Sequence, residues 1–316
     1  MKQAEAPPNA KWSGPSHAGV KAPDPILLPD PVQRFAGTAD RLEALAEGHP
    51  LEPWLRFLAN VSSAQHAVAN TLGPGTTLDP ASVATAVEAR LPPLAADGHR
   101  RHPSWREGLT RLLDLIDATG LPEPAVEAIG DLRASDAAAI ERLADQFLRG
   151  ELAAANAAAA VYVTAALQVY FTVSAARLDA ASLRLLEERA LCPCCGSPSV
   201  SGVVMAVGSN PGTRFLHCSM CSTAWNHVRA VCLNCNGTRK LSVQGIEGDA
   251  EVVKAETCGE CDTYSKLLYQ LRDTRLDPFA DDLASLGLDL MVAEAGYSRH
   301  APNPLLLLGD GDDDLE

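Results

Sequence analysis

Apolar residues recur at helical spacing through the first 190 residues of the chain. Residues 136–149 show the i, i+3, i+4, i+7, i+8 pattern of an amphipathic helix in Ile140, Leu143, Ala144, Phe147 and Leu148. Ser135 precedes this stretch as a candidate N-cap, and Gly150 follows it as a candidate C′ residue. Similar patterns and stop signals predict six or seven helices, at about 32–47, 53–72, 79–90, 104–119, 136–149, 152–176 and 179–189.

The segment Leu152–Ala176 is long and apolar enough to imitate a membrane span, because it has no charged residue. Eleven of its 25 positions are alanine, which contributes little transfer free energy. Five polar side chains would need partners inside lipid: Asn156, Thr164, Gln168, Thr172 and Ser174. We therefore predict the central helix of a water-soluble core, with no membrane insertion.

The pattern changes after residue 190, where two short runs are rich in β-branched residues. Ser201–Val207 and Leu241–Ile246 are candidate strands, and the sequences Asn210-Pro211-Gly212 and Glu247-Gly248-Asp249 are candidate turns. Before residue 190 we find no such strand pattern. The chain is thus predicted to be α+β, with helices first and small β-ribbons after them.

Four Cys-x-x-Cys pairs lie among these strands, and an offset of 40 residues maps the first two pairs onto the last two. Two such knuckles, joined by a hairpin, supply four sulfurs in the tetrahedral arrangement of a metal site. In each half 22 residues separate the two pairs, enough for strands to go out and return. The register predicts one site from Cys192, Cys195, Cys218 and Cys221 and a second from Cys232, Cys235, Cys258 and Cys261.

The sulfur ligands indicate two mononuclear ions but do not choose between iron and zinc. A purely structural role for both ions is an equal alternative, because modules of this size cannot fold on a hydrophobic core alone. A thioredoxin-like redox pair is a poorer interpretation, since no βαβ pattern surrounds the cysteines. Cys194 falls outside the register and is interpreted as a packed spare thiol.

Charge excludes nucleic acid as the expected partner. The formal net charge is -14, and between Cys192 and Cys261 five positive residues are matched by five negative ones. The N-terminal residues lack the apolar run of a secretory signal, which predicts a cytoplasmic protein with reduced cysteines.

His217 and His227 are expected near the sites but not as ligands, and Trp225 is expected between the ribbons or against the helices. His49, His66, His99 and His102 show no ligand spacing and are interpreted as core or surface residues.

Several longer runs resemble the formate dehydrogenase accessory protein FdhE family. They are Arg214–Cys221 with Trp225 and Arg229, Val253–Lys266, Asp281–Leu286, Gly296-Tyr297 and Asn303-Pro304, with weaker similarity at Gly48–Leu51 and Ala64-Gln65. The resemblance covers nearly the whole chain. Two features depart from the family pattern: Leu305–Leu308 lack aromatic residues, and Gly309–Glu316 is an acidic tail.

The resemblance implies a non-enzymatic maturation factor that binds the catalytic subunit of respiratory formate dehydrogenase in the cytoplasm. It also implies that the eight cysteines of the register bind metal in rubredoxin-like sites. The alternative is a rubredoxin-like electron-transfer or redox protein that acts on a client metalloenzyme. A homodimer is left open.

The predicted organisation has five parts. They are a flexible Pro-rich arm (1–30), an all-α domain (31–189), two tandem rubredoxin-like or zinc-ribbon modules (190–229 and 230–270), and a C-terminal helix with the acidic tail (271–316).

Overall fold

The computed structural model describes residues 23–73, 78–206, 211–246 and 250–306. Most of the Pro-rich arm, the acidic tail, Asn210 and the predicted turn at 247–249 lie outside them. Within the described residues the N-terminal part contains seven α-helices: α1 (Pro31–Ala46), α2 (Glu52–Ala69), α3 (Pro80–Glu88), α4 (Ser104–Leu115), α5 (Glu123–Ala134), α6 (Ala137–Arg149) and α7 (Ala157–Ala175). The predicted α+β class, helices before ribbons, is confirmed.

Aspartate side chains begin three of these helices. Asp30 accepts hydrogen bonds from the backbone N–H groups of Val32 and Gln33, and Asp79 accepts one from Ser82. Asp136, not the predicted Ser135, caps α6 and accepts a bond of 2.7 Å from Ala139 N. Ser135 Oγ instead donates to the Asp131 carbonyl in the last turn of α5.

Helix α7 is the centre of the helical part. Every residue from Ala160 to Ala175 is buried, and α1, α2, α4, α5 and α6 all contact the helix. By length and composition it is the one helix in the described part of the chain that could cross a bilayer, but its surface is covered by protein. Gln65 Nε2 donates to the Gln168 side chain at 3.0 Å and to the Ala165 carbonyl at 2.9 Å, which satisfies polar groups inside this core.

Two helix predictions differ from the structure. Helix α5 was not predicted, and the helix predicted over 179–189 is wrong, because that segment consists of turns, a bend and irregular chain. Arg184 donates to the carbonyls of Ala181, Ser182 and Leu183, and Trp225 Nε1 donates to the Arg189 carbonyl. The local Arg184 bonds and the long-range Trp225 bond occupy carbonyls that helical N–H groups would otherwise use, and together they override a favourable helical sequence.

The strands form one sheet, which has eight strands within the described residues. They are β1 (Ile26–Leu27), β2 (Ser199–Val204), β3 (Arg214–Cys218), β4 (Ala224–Asn226), β5 (Leu241–Gln244), β6 (Val253–Cys258), β7 (Thr263–Tyr269) and β8 (Ser298–Arg299). Their order is β1-β4-β3-β2-β7-β6-β5, and β8 pairs with β7. The two ribbons therefore share a continuous sheet.

A parallel pairing joins the two ribbons. Strand β2 of the first ribbon pairs with β7 of the second, with Gly202 opposite Leu267 and Val204 opposite Tyr269. All other described pairs except β7 with β8 are antiparallel. At one edge β1 pairs with β4, so Ile26 and Leu27 belong to the sheet although they were predicted to lie in the flexible arm.

Up to residue 306, the C-terminal part contains two short helices where one was predicted: α8 (Ala280–Ala284) and α9 (Leu286–Glu294). A buried polar network holds them against the sheet. Lys266 Nζ, with a fully buried side chain, lies 2.6 Å from Asp289 Oδ2 and donates to the Asp282 carbonyl at 2.7 Å. Asp282 also pairs with Arg299 and accepts a bond of 3.0 Å from Asn303 Nδ2.

Candidate metal centres

Each of the four Cys-x-x-Cys knuckles ends in a left-handed residue. The residue after the second cysteine has a positive φ in every case: Gly196 (77°), Ser222 (59°), Asn236 (58°) and Asp262 (52°). Glycine, asparagine and aspartate tolerate this conformation better than most residues, and serine is the exception here. The reversal directs the chain back over the two sulfurs, so the knuckle closes on one point.

The structure brings together the two predicted sets of four cysteines. In each set the sulfur atoms lie within 4.8 Å of one another. The first set is Cys192, Cys195, Cys218 and Cys221, and the second is Cys232, Cys235, Cys258 and Cys261. We call them the inner and the outer cluster.

Distances between the sulfurs suit a tetrahedral ion. The inner cluster has Sγ–Sγ distances of 3.5 Å for Cys192–Cys221 and 3.3 Å for Cys195–Cys218. In the outer cluster the corresponding pairs, Cys232–Cys261 and Cys235–Cys258, are both 3.7 Å apart. An ion with four sulfurs at about 2.3 Å places neighbouring sulfurs about 3.8 Å apart. Each cluster can therefore hold one thiophilic ion, such as iron or zinc.

Backbone N–H groups point at the sulfurs as they do around metal-bound thiolates. In the inner cluster Cys194 N lies 3.4 Å from Cys192 Sγ, and Cys221 N lies 3.3 Å from Cys218 Sγ. In the outer cluster Asn234 N lies 3.4 Å from Cys232 Sγ. These donors stabilise negative charge on sulfur.

A threonine hydroxyl occupies the same place in both clusters. Thr223 Oγ1 lies 3.2 Å from Cys221 Sγ, and Thr263 Oγ1 lies 3.1 Å from Cys261 Sγ. The two threonines are related by the same 40-residue offset as the cysteines. Sequence reasoning identified Gly196 as a turn residue of its knuckle but missed both threonines and the other three left-handed positions. Extending the register beyond the cysteines would have found the threonines.

In both clusters burial opposes ionisation, but hydrogen bonds from neighbouring groups outweigh this effect and lower the pKa of the last cysteine, Cys221 or Cys261. Burial, followed by hydrogen bonding with the neighbouring thiols, raises the pKa of Cys192 well above its usual value. In the outer cluster burial also opposes ionisation, but hydrogen bonds from Thr263 and the neighbouring cysteines lower the pKa of Cys261 to about 6. A divalent cation would offset the cost of buried thiolates, which is greatest in the inner cluster.

A buried ion pair connects the two ribbons beside the clusters. Arg214 Nη1 lies 2.6 Å from Glu256 Oε2, and their side chains are 1% and 7% exposed. Arg214 Nη2 also donates to the Val228 carbonyl and to His227 Nδ1, both at 2.6 Å. Burial and then the charge of Arg214 lower the pKa of His227 to about 4.

The helical part reaches the inner cluster through α1 and α7. Arg34 Nε donates to Ser222 Oγ at 3.1 Å, and its guanidinium lies over the Phe279 ring. On α7, Thr172 Oγ1 lies 3.1 Å from Ser222 Oγ, and Gln168 Nε2 donates to the Ser219 carbonyl at 2.9 Å. The knuckle that ends in Cys221 is therefore fixed by side chains from two helices.

The other singled-out residues lie outside both clusters. Cys194 is buried and free, and His217 is half-buried near Arg34, with its Nε2 atom buried; burial and then that charge lower the pKa of His217 to about 4. Trp225 is buried and packs in the main core with α7 residues, which confirms the predicted placement against the helices. His49 Nε2 lies 2.9 Å from the Ala284 carbonyl, and His99 Nε2 lies 3.0 Å from the Tyr170 hydroxyl.

Comparison with known proteins agrees with this architecture. Family models described as FdhE N-terminal, FdhE central domain and FdhE C-terminal domain match residues 23–188, 191–229 and 230–306. The chain is similar to a protein named "Protein FdhE homolog" from Edwardsiella ictaluri, with 40% identity over 96% of this chain and 98% of the relative. A relative of the same name from Stutzerimonas stutzeri is 38% identical, over 94% of this chain and 96% of the relative.

A solved structure has the same fold. The crystal structure of the FdhE protein from Pseudomonas aeruginosa superposes with a TM-score of 0.82 and 34% sequence identity, and it covers 90% of this chain and 99% of that one. The three matched models together span most of the described residues. The chain therefore belongs to the FdhE family.

Proposed function

We propose that the chain is a cytoplasmic accessory protein for the maturation of a respiratory formate dehydrogenase. It binds the catalytic subunit of that enzyme, is not itself an enzyme, and carries two mononuclear ions, iron or zinc, on the eight clustered cysteines. The arm, helical domain, two metal modules and C-terminal part would be its working units, although the two modules share a sheet.

The observation that supports this proposal most directly is the pair of four-sulfur clusters in a chain of the FdhE family. The clusters offer only thiol ligands, and each has four, which fits a closed tetrahedral site without an open position for substrate. In the part of the chain that the structure describes, buried charged groups have protein partners, such as Lys266 with Asp289. Binding of a protein client therefore accounts for the molecule better than turnover does.

Metal content is the first test. Anaerobic purification followed by elemental analysis is expected to give about two ions per chain, one for each four-sulfur cluster. A visible spectrum then separates the metals, because ferric tetrathiolate is strongly coloured and zinc is not. A single shared ion would contradict the assignment of ligands.

Client binding is the second test. The tagged chain is expected to co-purify with the formate dehydrogenase catalytic subunit from a cytoplasmic fraction, and to restore formate dehydrogenase activity in a strain without its own FdhE homologue. Cys194→Ser should behave like the unchanged chain in both assays, because Cys194 is buried beside a ligand but lies in neither cluster. Absence of both co-purification and restoration would reject the proposal.

The electron-transfer alternative is favoured by one observation, the exposed Cys235 in the outer cluster, which gives an ion there a short path to a partner. It requires a metal that changes oxidation state. If chains reconstituted with zinc support maturation as well as chains reconstituted with iron, the electron-transfer alternative is excluded.

A further inference from the structure

The two clusters have the same ligands but different surroundings. All four inner cysteines are at most 1% exposed. In the outer cluster Cys232 and Cys258 are buried, Cys261 is half-buried and Cys235 is exposed. An external ligand can therefore touch the outer cluster without unfolding the protein, whereas the inner cluster is sealed.

The inner cluster is part of the main hydrophobic core. Its four cysteines pack in one continuous group with α7 residues such as Tyr170 and Phe171. The backbone of residues 94–96 closes over its first knuckle, since Leu94 N and Ala96 N each donate to knuckle carbonyls at 2.8 Å. Reaching these sulfurs requires separation of the helices from the sheet.

The outer cluster has a thinner cover. Leu233 in its first knuckle packs into the main core, but none of its four cysteines does. The neighbouring strand β5 is an edge strand of the sheet, and three of its four residues are exposed. Strand β5 pairs with β6 through Leu241 and Cys258, so fraying of this edge uncovers a second sulfur.

From these contrasts we infer that the outer cluster is an exchangeable metal site, open to thiolate or nitrogen ligands from outside the chain, and that the inner cluster is a permanent structural site. An external ligand approaches on the Cys235 side and replaces the sulfurs one at a time. The ion keeps its charge, and each released thiolate takes a proton from water. This inference rests on the proposed two-ion loading.

The test uses the full-length chain loaded with two equivalents of zinc. A colorimetric chelator is added together with N-ethylmaleimide, and alkylated cysteines are located by mass spectrometry over time. We expect one equivalent to be released at least about tenfold faster than the other, because the slow site waits for opening of the core. The fast phase should coincide with labelling of the four outer cysteines.

Urea provides a second readout. Below the unfolding transition, urea should accelerate only the slow phase, because only opening of the core exposes much new surface. Cys258→Ser should abolish the fast phase and leave the slow equivalent in place. Cys194→Ser should leave the fast phase unchanged.

The outcomes separate two kinds of failure. Uptake of fewer than two zinc ions overturns both the proposed two-ion loading and this inference. Uptake of two ions that leave at equal rates, or inner cysteines that are alkylated first, overturns the inference alone.

Discussion

Glu256→Gln should destabilise the protein strongly, although the two side chains are almost the same size. The change removes one charge from the ion pair between the ribbons and leaves Arg214, which is 1% exposed, without a counter-ion. Breaking a buried pair by removing one partner costs about 3–5 kcal/mol. Because Arg214 still donates to the Val228 and Val231 carbonyls, we expect the lower end, about 3 kcal/mol.

The assay is equilibrium unfolding in urea of the zinc-loaded chain. Glu251→Gln is the matched control: Glu251 is 47% exposed and pairs with Arg272 at 2.8 Å, so its loss should cost less than about 1 kcal/mol. The double variant Arg214→Met with Glu256→Leu should recover much of the loss, since no unpaired charge remains buried. If Glu256→Gln and Glu251→Gln cost the same, the ion pair does not hold the ribbons together.

Three further predictions concern other parts of the structure. Gly196→Ala should cost about 1–2 kcal/mol in urea unfolding, because a side chain is forced into the left-handed region and meets Pro92 Cγ at 3.2 Å; Asn236→Gly, at the equivalent place in the outer cluster, should be neutral or stabilising. His227 has a lowered pKa, so stability is lost as the pH falls from about 6.5 to about 4, because the unfolded state binds the proton first. His227→Gln should remove roughly 3 kcal/mol of this loss of unfolding free energy; an unchanged dependence of the unfolding free energy on pH would contradict the assigned pKa. Lys266→Met should remove the partner 2.6 Å from Asp289 Oδ2, while Tyr264 and Arg299 still contact Asp289 Oδ1, and should cost about 3 kcal/mol, the lower end for a broken buried pair. The C-terminal helices should become more sensitive to limited proteolysis, whereas a wild-type cleavage pattern would show that the network does not anchor them.

Local signals determined which parts could be predicted. The four-sulfur sets could be assigned because each knuckle is a local motif of four residues and the 40-residue repeat can be read directly from the sequence. Helix α6 was predicted from its apolar stripe, and Gly150 ends it with a φ of 71°, as expected of a C′ glycine. The central position of α7 followed from its lack of charge and its many alanines.

Non-local contacts explain the remainder. Helix α5 contains Pro124 and Gly130 and buries only three residues, so its apolar pattern is weak. The segment at 179–189 has a helical sequence, but its Arg189 carbonyl accepts a hydrogen bond from Trp225 Nε1, 36 residues away along the chain. The parallel pairing of β2 with β7 joins segments far apart along the chain, and neither strand carries a sign of its partner.

That parallel pairing also sets an order of events during synthesis. Strand β2 leaves the ribosome long before β7, which comes after all eight clustered cysteines. Until then one edge of β2 exposes unpaired backbone groups, a template for aggregation, and contacts of such sequence separation form slowly. A nascent chain that stops before Thr263 would have all eight cysteines but an unprotected sheet edge, so the last strands of the sheet protect the first ribbon from misassembly.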